Sequence, residues 1–131
     1  MPYQHEMTAR IYAQETDAQG IVYHGNYLVL AERARDEYFR SRDTNFVQHL
    51  ISKGLFPVIR HADIEYLHAA RYDDLVRIVS YVDHIGNSSF VMPSDMFICD
   101  KHITTVKVTL VLVNRDLKAT PLTDEMKEFL Q

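Results

Sequence analysis

The segment over residues 15–27, with the sequence ETDAQGIVYHGNY, holds most of the side chains that could do chemistry. The carboxylate of Asp17 can attack an electrophilic carbon or activate water. Gly20 can adopt a positive φ, which lets the chain turn sharply after Asp17. Gly25 and Asn26 lead into a helical pattern, and the first N–H groups of a helix lack partners and stabilise an anion or a polarised carbonyl oxygen. A carboxylate beside such donors has the parts needed for acyl chemistry.

A purely structural role explains the same residues. In that interpretation Asp17 caps a turn, Gly20 serves that turn, and His24 packs beside the helix start. His24 could equally orient a substrate or a water. Tyr23 and Tyr27 are predicted to be pocket wall or core rather than acids. The residues by themselves leave these alternatives open.

One strand and one long helix must position this segment. Alternating apolar residues predict a strand over residues 4–13. Apolar residues at helical spacing predict an amphipathic helix over residues 26–41. The charges on this helix are expected to face solvent. The apolar positions are Tyr27, Leu30, Ala31, Ala34 and Tyr38, and the charged positions are Glu32, Arg33, Arg35, Asp36 and Glu37.

A short helix is predicted over residues 45–53, with Asn45 and Gln48 as a capping box and Gly54 as the stop. Pro93 cannot donate to a sheet ladder, so we expect it at a bulge or an edge. A terminal helix is predicted to follow Thr123. Strand patterns cover residues 56–67, 75–86, 88–99 and 102–115. Strands that can pair by hairpins, separated along the chain from the helices, predict an α+β fold with the long helix packed across the sheet.

Composition narrows the class of protein. A chain of 131 residues has room for one domain, so we predict a single domain over residues 1–131. Its 47% hydrophobic and 24% charged residues are typical of a globular protein. The 14 Lys and Arg against 18 Asp and Glu give a net charge of −4, which argues against a nucleic-acid partner. The single cysteine, Cys99, excludes an internal disulfide.

The sequence contains no pattern typical of a membrane segment, a signal peptide, a metal site or a phosphate-binding loop. The longest apolar run, residues 110–113, is far too short to span a membrane, and the first residues do not resemble a signal peptide, so we predict a cytoplasmic protein. His61 and His68 are predicted to point to opposite faces of a strand, and no HExxH or Cys-His spacing occurs. No phosphate-binding glycine loop or GxSxG motif is present. We therefore expect no metal and no cofactor.

The quoted residues also resemble a known family. Residues 16–27, TDAQGIVYHGNY, followed by ERAR at 32–35, are similar to the signature of the 4-hydroxybenzoyl-CoA thioesterase family, which includes short-chain acyl-CoA thioesterases associated with the Tol-Pal system. Residues 64–66, 73–75 and 121–122 also have equivalents there. The resemblance implies a hotdog fold, in which an antiparallel sheet wraps around one long central helix.

The same resemblance implies the activity of an acyl-CoA thioesterase. Asp17 matches the family's catalytic carboxylate, as nucleophile or general base, and the backbone N–H groups near His24 and Gly25 match the donors that polarise the thioester carbonyl. The predicted catalytic residues are Asp17, His24 and Gly25, and the predicted substrate-binding residues are Tyr23, Asn26 and Tyr27. Glu32 is expected in a salt bridge rather than in catalysis.

The phosphates of CoA need basic partners, for which Arg60, Arg71 and Lys101 are available. Exposed sheet edges predict a homo-oligomer, at least a dimer, and the resemblance favours a tetramer. The alternative function is a non-catalytic hotdog module that binds acyl thioesters or a protein; a binder has no need of the Asp17 carboxylate. Hydration or dehydration of an acyl thioester would require another His-Asp arrangement, which the sequence lacks.

Overall fold

The alternating apolar residues near the N-terminus form the first strand of an antiparallel sheet, and the helical pattern that follows forms its packing partner. The structure is a computed structural model that describes residues 3–131. Its strands are β1 (Gln4–Arg10), β2 (Phe56–Tyr66), β3 (Leu75–Tyr81), β4 (His84–Ile85), β5 (Ser89–Ile98) and β6 (Lys101–Val113). Its helices are α1 (Asn26–Arg42), α2 (Phe46–Ser52) and α3 (Asp124–Leu130), and a single 3-10 turn spans Ala13–Glu15.

The sheet has the strand order β1-β3-β5-β6-β2, and every neighbouring pair is antiparallel. The short strand β4 pairs with β5 beyond the end of β3. The predicted α+β fold and the predicted order of elements are confirmed. The strand predicted over residues 75–86 is divided into β3 and β4.

Pro93 explains this division, and it lies at an irregularity of the ladder, as predicted. Ser80 pairs with Ser94 but His84 pairs with Val91, so the three residues between Ser80 and His84 face two residues of β5. Pro93 lies in β5, between β3 and β6, and is opposite Lys107. The Asp83 N–H donates to the Val91 carbonyl at 2.9 Å, and alternate residues of a strand present their backbone groups to the same side, so the Pro93 nitrogen also faces β3 and β4. Pairing with β3 stops at Ser94, because the next ladder position lacks an N–H.

The helix α1 buries its apolar stripe against one face of this sheet. Leu30, Ala31, Ala34 and Tyr38 are completely buried. On β6, alternate residues from Val106 to Leu112 are buried with them, as the alternating pattern predicts. Fully burying a side chain such as leucine contributes about 1.5–3 kcal/mol, so this contact is a main source of stability.

Arg35 departs from the prediction that the charges of α1 face solvent. It is only 6% exposed, and its Nη1 has no hydrogen-bond partner among residues 3–131. Burial lowers the pKa of Arg35, and the nearby charges of Glu32 and Asp36 partly oppose that shift. The helical pattern placed Arg35 at the margin of the apolar stripe, where its long apolar stem can be buried.

The ends of the two short helices differ in how they are capped. The Asn45 side chain makes no capping hydrogen bond, so the predicted capping box of α2 was wrong; instead the Asn45 N–H donates to Asp43 Oδ1 at 3.0 Å. At α3, the Met126 N–H donates to Thr123 Oγ1 at 3.1 Å, so the predicted cap is confirmed. None of the helices within residues 3–131 is long and apolar enough to cross a membrane.

Truncation of one buried leucine should test the packing of α1. Leu30→Ala should lower the free energy of unfolding by about 3 kcal/mol, because it removes buried methyl groups and leaves a cavity. Leu28→Ala, on the same helix but 38% exposed, should cost less than about 1 kcal/mol. Urea unfolding followed by circular dichroism measures both. Equal losses for the two variants would contradict the packing described.

Candidate active site

The loop between β1 and α1 is a tight turn built around Asp17. The Asp17 N–H donates to the Ile21 carbonyl at 2.9 Å, and the Gly20 N–H donates to the Asp17 carbonyl at 3.0 Å. Gly20 has φ +80°, a conformation in which a side chain would be strained. The Gln19 N–H donates to Asp17 Oδ1 at 2.9 Å, while Oδ2 accepts no hydrogen bond from the described part of the chain. One carboxylate oxygen thus holds the turn, and the other is available to a ligand.

The chain that follows β2 fastens this loop from the other side. The Val22 N–H donates to the Ala70 carbonyl at 2.9 Å, and Ile21 forms an antiparallel bridge with Arg71. The Ala70 N–H donates to the Tyr27 hydroxyl at 3.1 Å. Residues 68–71 are therefore held beside the Asp17 turn by both backbone and side-chain hydrogen bonds.

Tyr27 is a buried wall of the site. It is 3% exposed, and burial raises the pKa of its hydroxyl above the ordinary value, an effect that the hydrogen bond from Ala70 partly opposes. Its ring meets the ring of Tyr66 edge-on, with centroids 5.6 Å apart. A neutral, buried hydroxyl that already accepts a hydrogen bond serves to hold the wall in place.

The start of α1 presents free N–H groups. Gly25 precedes the helix with φ −69° and ψ −21°, and no side chain caps it. The Tyr23 carbonyl accepts from the Asn26 N–H at 2.8 Å, and the His24 carbonyl accepts from the Tyr66 hydroxyl at 3.0 Å. The His24 and Gly25 N–H groups donate to no acceptor within residues 3–131. Together with the dipole of a 17-residue helix, these groups favour a negatively charged ligand.

These pieces border one cavity of about 350 Å³. Its polar wall includes Asp17, Gln19, His24 and His68. Its apolar wall includes Ile21, Val22, Leu67 and Ala69, and Tyr27 and Tyr66 complete the lining. A carboxylate, two imidazoles and a helix start beside apolar walls can bind the polar reacting group of a ligand next to its hydrocarbon part.

The structure brings together some of the predicted site residues and leaves others outside the cavity. Asp17, His24 and Tyr27 line it, and Gly25 adjoins it at the helix start. Tyr23 is 48% exposed and packs its ring against His24, with centroids 4.3 Å apart. The Asn26 amide donates to the Glu15 carbonyl at 2.8 Å, which ties the helix start to the loop.

The absence of a side chain at Gly25 leaves room for the Tyr23 ring to pack against His24. A Cβ atom at Gly25 would lie 3.0 Å from Cε2 of Tyr23, so a side chain there would push the Tyr23 ring away. The glycine therefore supports the position of His24 without touching the cavity through a side chain.

Sequence reasoning missed the lining residues Gln19, Tyr66 and His68, and it did not locate the apolar wall. Gln19 lies inside the segment that was singled out, and its polar side chain beside Asp17 was the available signal. Tyr66 is the last residue of β2 and His68 follows that strand, and both reach the site only through the tertiary fold. The basic residues considered for CoA, which are Arg60, Arg71 and Lys101, are all exposed. Within residues 3–131 no group of three His, Cys, Asp or Glu side chains could hold a metal ion.

Residues 19–103 match the model of the thioesterase superfamily, a match that begins just after Asp17. The chain belongs to this family. It is 30% identical over 112 residues to the Escherichia coli protein named acyl-CoA thioester hydrolase YbgC. The aligned region covers 86% of this chain and 83% of that protein. The predicted resemblance and the predicted enzyme class, a thioester hydrolase, are confirmed.

Solved structures agree with the fold. A probable thioesterase from Bartonella henselae superposes with a TM-score of 0.83 at 32% identity, over 92% of this chain and 100% of that one. The 4-hydroxybenzoyl-CoA thioesterase from Pseudomonas superposes with a TM-score of 0.86 over 96% of this chain and 98% of that one. Its identity is 20%, so it supports the fold alone. The predicted hotdog architecture is confirmed.

The buried hydroxyl of Tyr27 should be visible in the alkaline stability of the protein. Its pKa is raised above 10.0 in the folded state, so above about pH 10 the unfolded chain loses this proton first and stability falls with rising pH. Tyr27→Phe should be less stable than the wild type at neutral pH, because the Ala70 N–H loses its acceptor. Its free energy of unfolding should fall less steeply than that of the wild type between about pH 9 and about pH 11, the range in which tyrosine titrates. Urea unfolding at a series of pH values measures both slopes, and parallel curves would contradict the assignment.

Proposed function

We propose that this protein is an acyl-CoA thioesterase that hydrolyses an acyl-CoA thioester to a free carboxylic acid and CoA, with Asp17 as the reacting carboxylate. The observation that carries the proposal is that Asp17 and the open start of α1 border the same cavity. The names of the relatives support the substrate class, since the Escherichia coli relative is named an acyl-CoA thioester hydrolase.

Two routes use the same atoms. As a nucleophile, Asp17 Oδ2 attacks the thioester carbon, the CoA thiolate leaves and takes up a proton, and water then hydrolyses the mixed anhydride to the acid and Asp17. As a general base, Asp17 takes a proton from a water that attacks the thioester carbon directly, and this proton passes to the departing thiolate. Both routes place negative charge on the carbonyl oxygen, which the N–H groups of His24 and Gly25 would stabilise.

The position of Asp17 favours hydrolysis over simple binding. A carboxylate on the wall of an acyl-binding cavity repels the carboxylate product, which assists release of the acid but would weaken retention of any anionic ligand. In a non-catalytic module that binds acyl thioesters, the same repulsion would weaken binding of anionic ligands and would not assist any reaction. His24 and His68, which also line the cavity, are proposed to bind or orient the polar part of the substrate, while Ile21 and Leu67 contact the acyl group.

The edge of the sheet supports a homo-oligomer. The strand β2 is 11 residues long, pairs on one side with β6, and forms one edge of the sheet. Ile59 on this strand is 47% exposed, and a long exposed edge with apolar side chains is a template for pairing with a second copy. We propose at least a dimer; a tetramer, a single domain over residues 1–131 and a cytoplasmic location stay predictions.

Replacement of Asp17 should remove most of the activity. Asp17→Asn changes the charge with almost no change in volume, and an amide can still accept the hydrogen bond from the Gln19 N–H. We expect kcat to fall by about 10²-fold to 10⁴-fold, as for loss of a general base or nucleophile. The measurement is release of free thiol from short-chain, long-chain and aromatic acyl-CoA thioesters, with circular dichroism to confirm folding.

Asp116→Asn removes the same charge at an exposed position that does not line the cavity, and it serves as the matched control, with kcat expected to equal that of the wild type. Equal activity of Asp17→Asn and wild type would overturn the role of Asp17 and leave hydrolysis in place. An inactive wild type that binds acyl-CoA would instead support the binding module.

Light scattering should detect the proposed oligomer. Wild type should have a mass of at least two chains of 15.3 kDa, and Ile59→Lys should shift the population toward single chains, because a buried lysine would oppose pairing of the β2 edges. Leu117→Lys, at a 74% exposed position in the turn after β6 and not on β2, should keep the wild-type mass. A wild-type particle of 15.3 kDa would contradict the proposal.

A further inference from the structure

Tyr66 connects the end of β2 with the start of α1. It is the last residue of β2, and its hydroxyl donates to the His24 carbonyl at 3.0 Å. Its ring meets that of Tyr27 edge-on, with centroids 5.6 Å apart, and the residue lines the cavity and is 49% exposed. A contact that joins residues 42 positions apart is specific to this fold.

The His24 carbonyl belongs to the same peptide unit as the Gly25 N–H. A trans peptide is planar, with its C=O and N–H pointing in opposite directions, and the structure contains no cis peptide among the described residues. A hydrogen bond that holds the carbonyl toward Tyr66 therefore fixes the direction of the Gly25 N–H. At the start of α1 no hydrogen bond within residues 3–131 uses that N–H.

The same hydrogen bond strengthens the N–H as a donor. Donation to the carbonyl polarises the peptide unit, and chains of hydrogen bonds reinforce one another by roughly 10–30% per bond. The order of the chain is the Tyr66 hydroxyl, the His24 carbonyl, the Gly25 N–H and then the ligand oxygen. Its contribution grows as negative charge develops on that oxygen, so it acts on the transition state more than on the bound substrate.

We propose that Tyr66 is a positioning residue for thioester hydrolysis, which orients and polarises the His24–Gly25 peptide so that the Gly25 N–H stabilises the oxyanion. This inference rests on the proposed function. Tyr66 does not transfer a proton or touch the reacting atoms; it acts through the peptide that it holds.

Tyr66→Phe tests the role of the hydroxyl alone. The variant keeps the ring and its contact with Tyr27, so folding and thermal stability should stay close to those of the wild type. We expect kcat to fall about tenfold with KM almost unchanged, less than the 10²-fold to 10³-fold loss of a direct oxyanion donor. Tyr72→Phe is the matched control, because Tyr72 is 62% exposed and does not line the cavity.

A second readout follows the peptide itself without substrate. In the NMR spectrum of the free protein, the Gly25 amide nitrogen should shift in Tyr66→Phe and not in Tyr72→Phe, since the amide nitrogen responds to hydrogen bonding at the carbonyl of its own peptide unit. A merely structural role of the ring would leave this resonance unchanged. The shift and the fall in kcat together support the proposal.

An active wild type with an equally active Tyr66→Phe, a loss that lies entirely in KM, or an unmoved Gly25 resonance overturns the role of Tyr66 alone. A wild type that hydrolyses no acyl-CoA thioester in the panel contradicts the proposed function, and the catalytic role of Tyr66 with it.

Discussion

The burial of α1 against one face of the antiparallel sheet is the constraint on which the rest of the structure depends. A helix with one apolar stripe and a sheet with one apolar face can both leave water only by packing against each other. Leu30, Ala34 and Tyr38 are completely buried, so α1 cannot rotate about its axis or shift along it without exposing them. The position of the first turn of α1, and with it of the free N–H groups, follows from this packing.

The site is assembled from three chain segments that meet at that first turn. The Asp17 loop enters from β1, the helix start supplies free N–H groups, and residues 66–71 arrive from the end of β2. Hydrogen bonds from Val22 to Ala70 and from Tyr66 to His24 hold these segments together. The proposed chemical role of Asp17 is compatible with its structural role, since one carboxylate oxygen holds the turn while the other accepts no hydrogen bond from residues 3–131.

Local rules failed where tertiary contacts outweighed them. Arg35 is buried although its helix neighbours are exposed, because packing against the core extends to the margin of the apolar stripe. Asn45 makes no side-chain cap at α2 despite suitable spacing, whereas the cap predicted at Thr123 is present.

The sequence by itself determined the elements, their order and the loop that carries Asp17, because periodicity and turn chemistry act between residues close together along the chain. The similarity of residues 16–27 to a thioesterase family also pointed to the acyl chemistry. Only the tertiary structure decided that Tyr66 and His68 join Asp17 around one cavity, and that Tyr23 and Asn26 lie outside it. Those placements depend on strand register and on the packing of α1, which involve residues more than 40 positions apart and leave no local pattern.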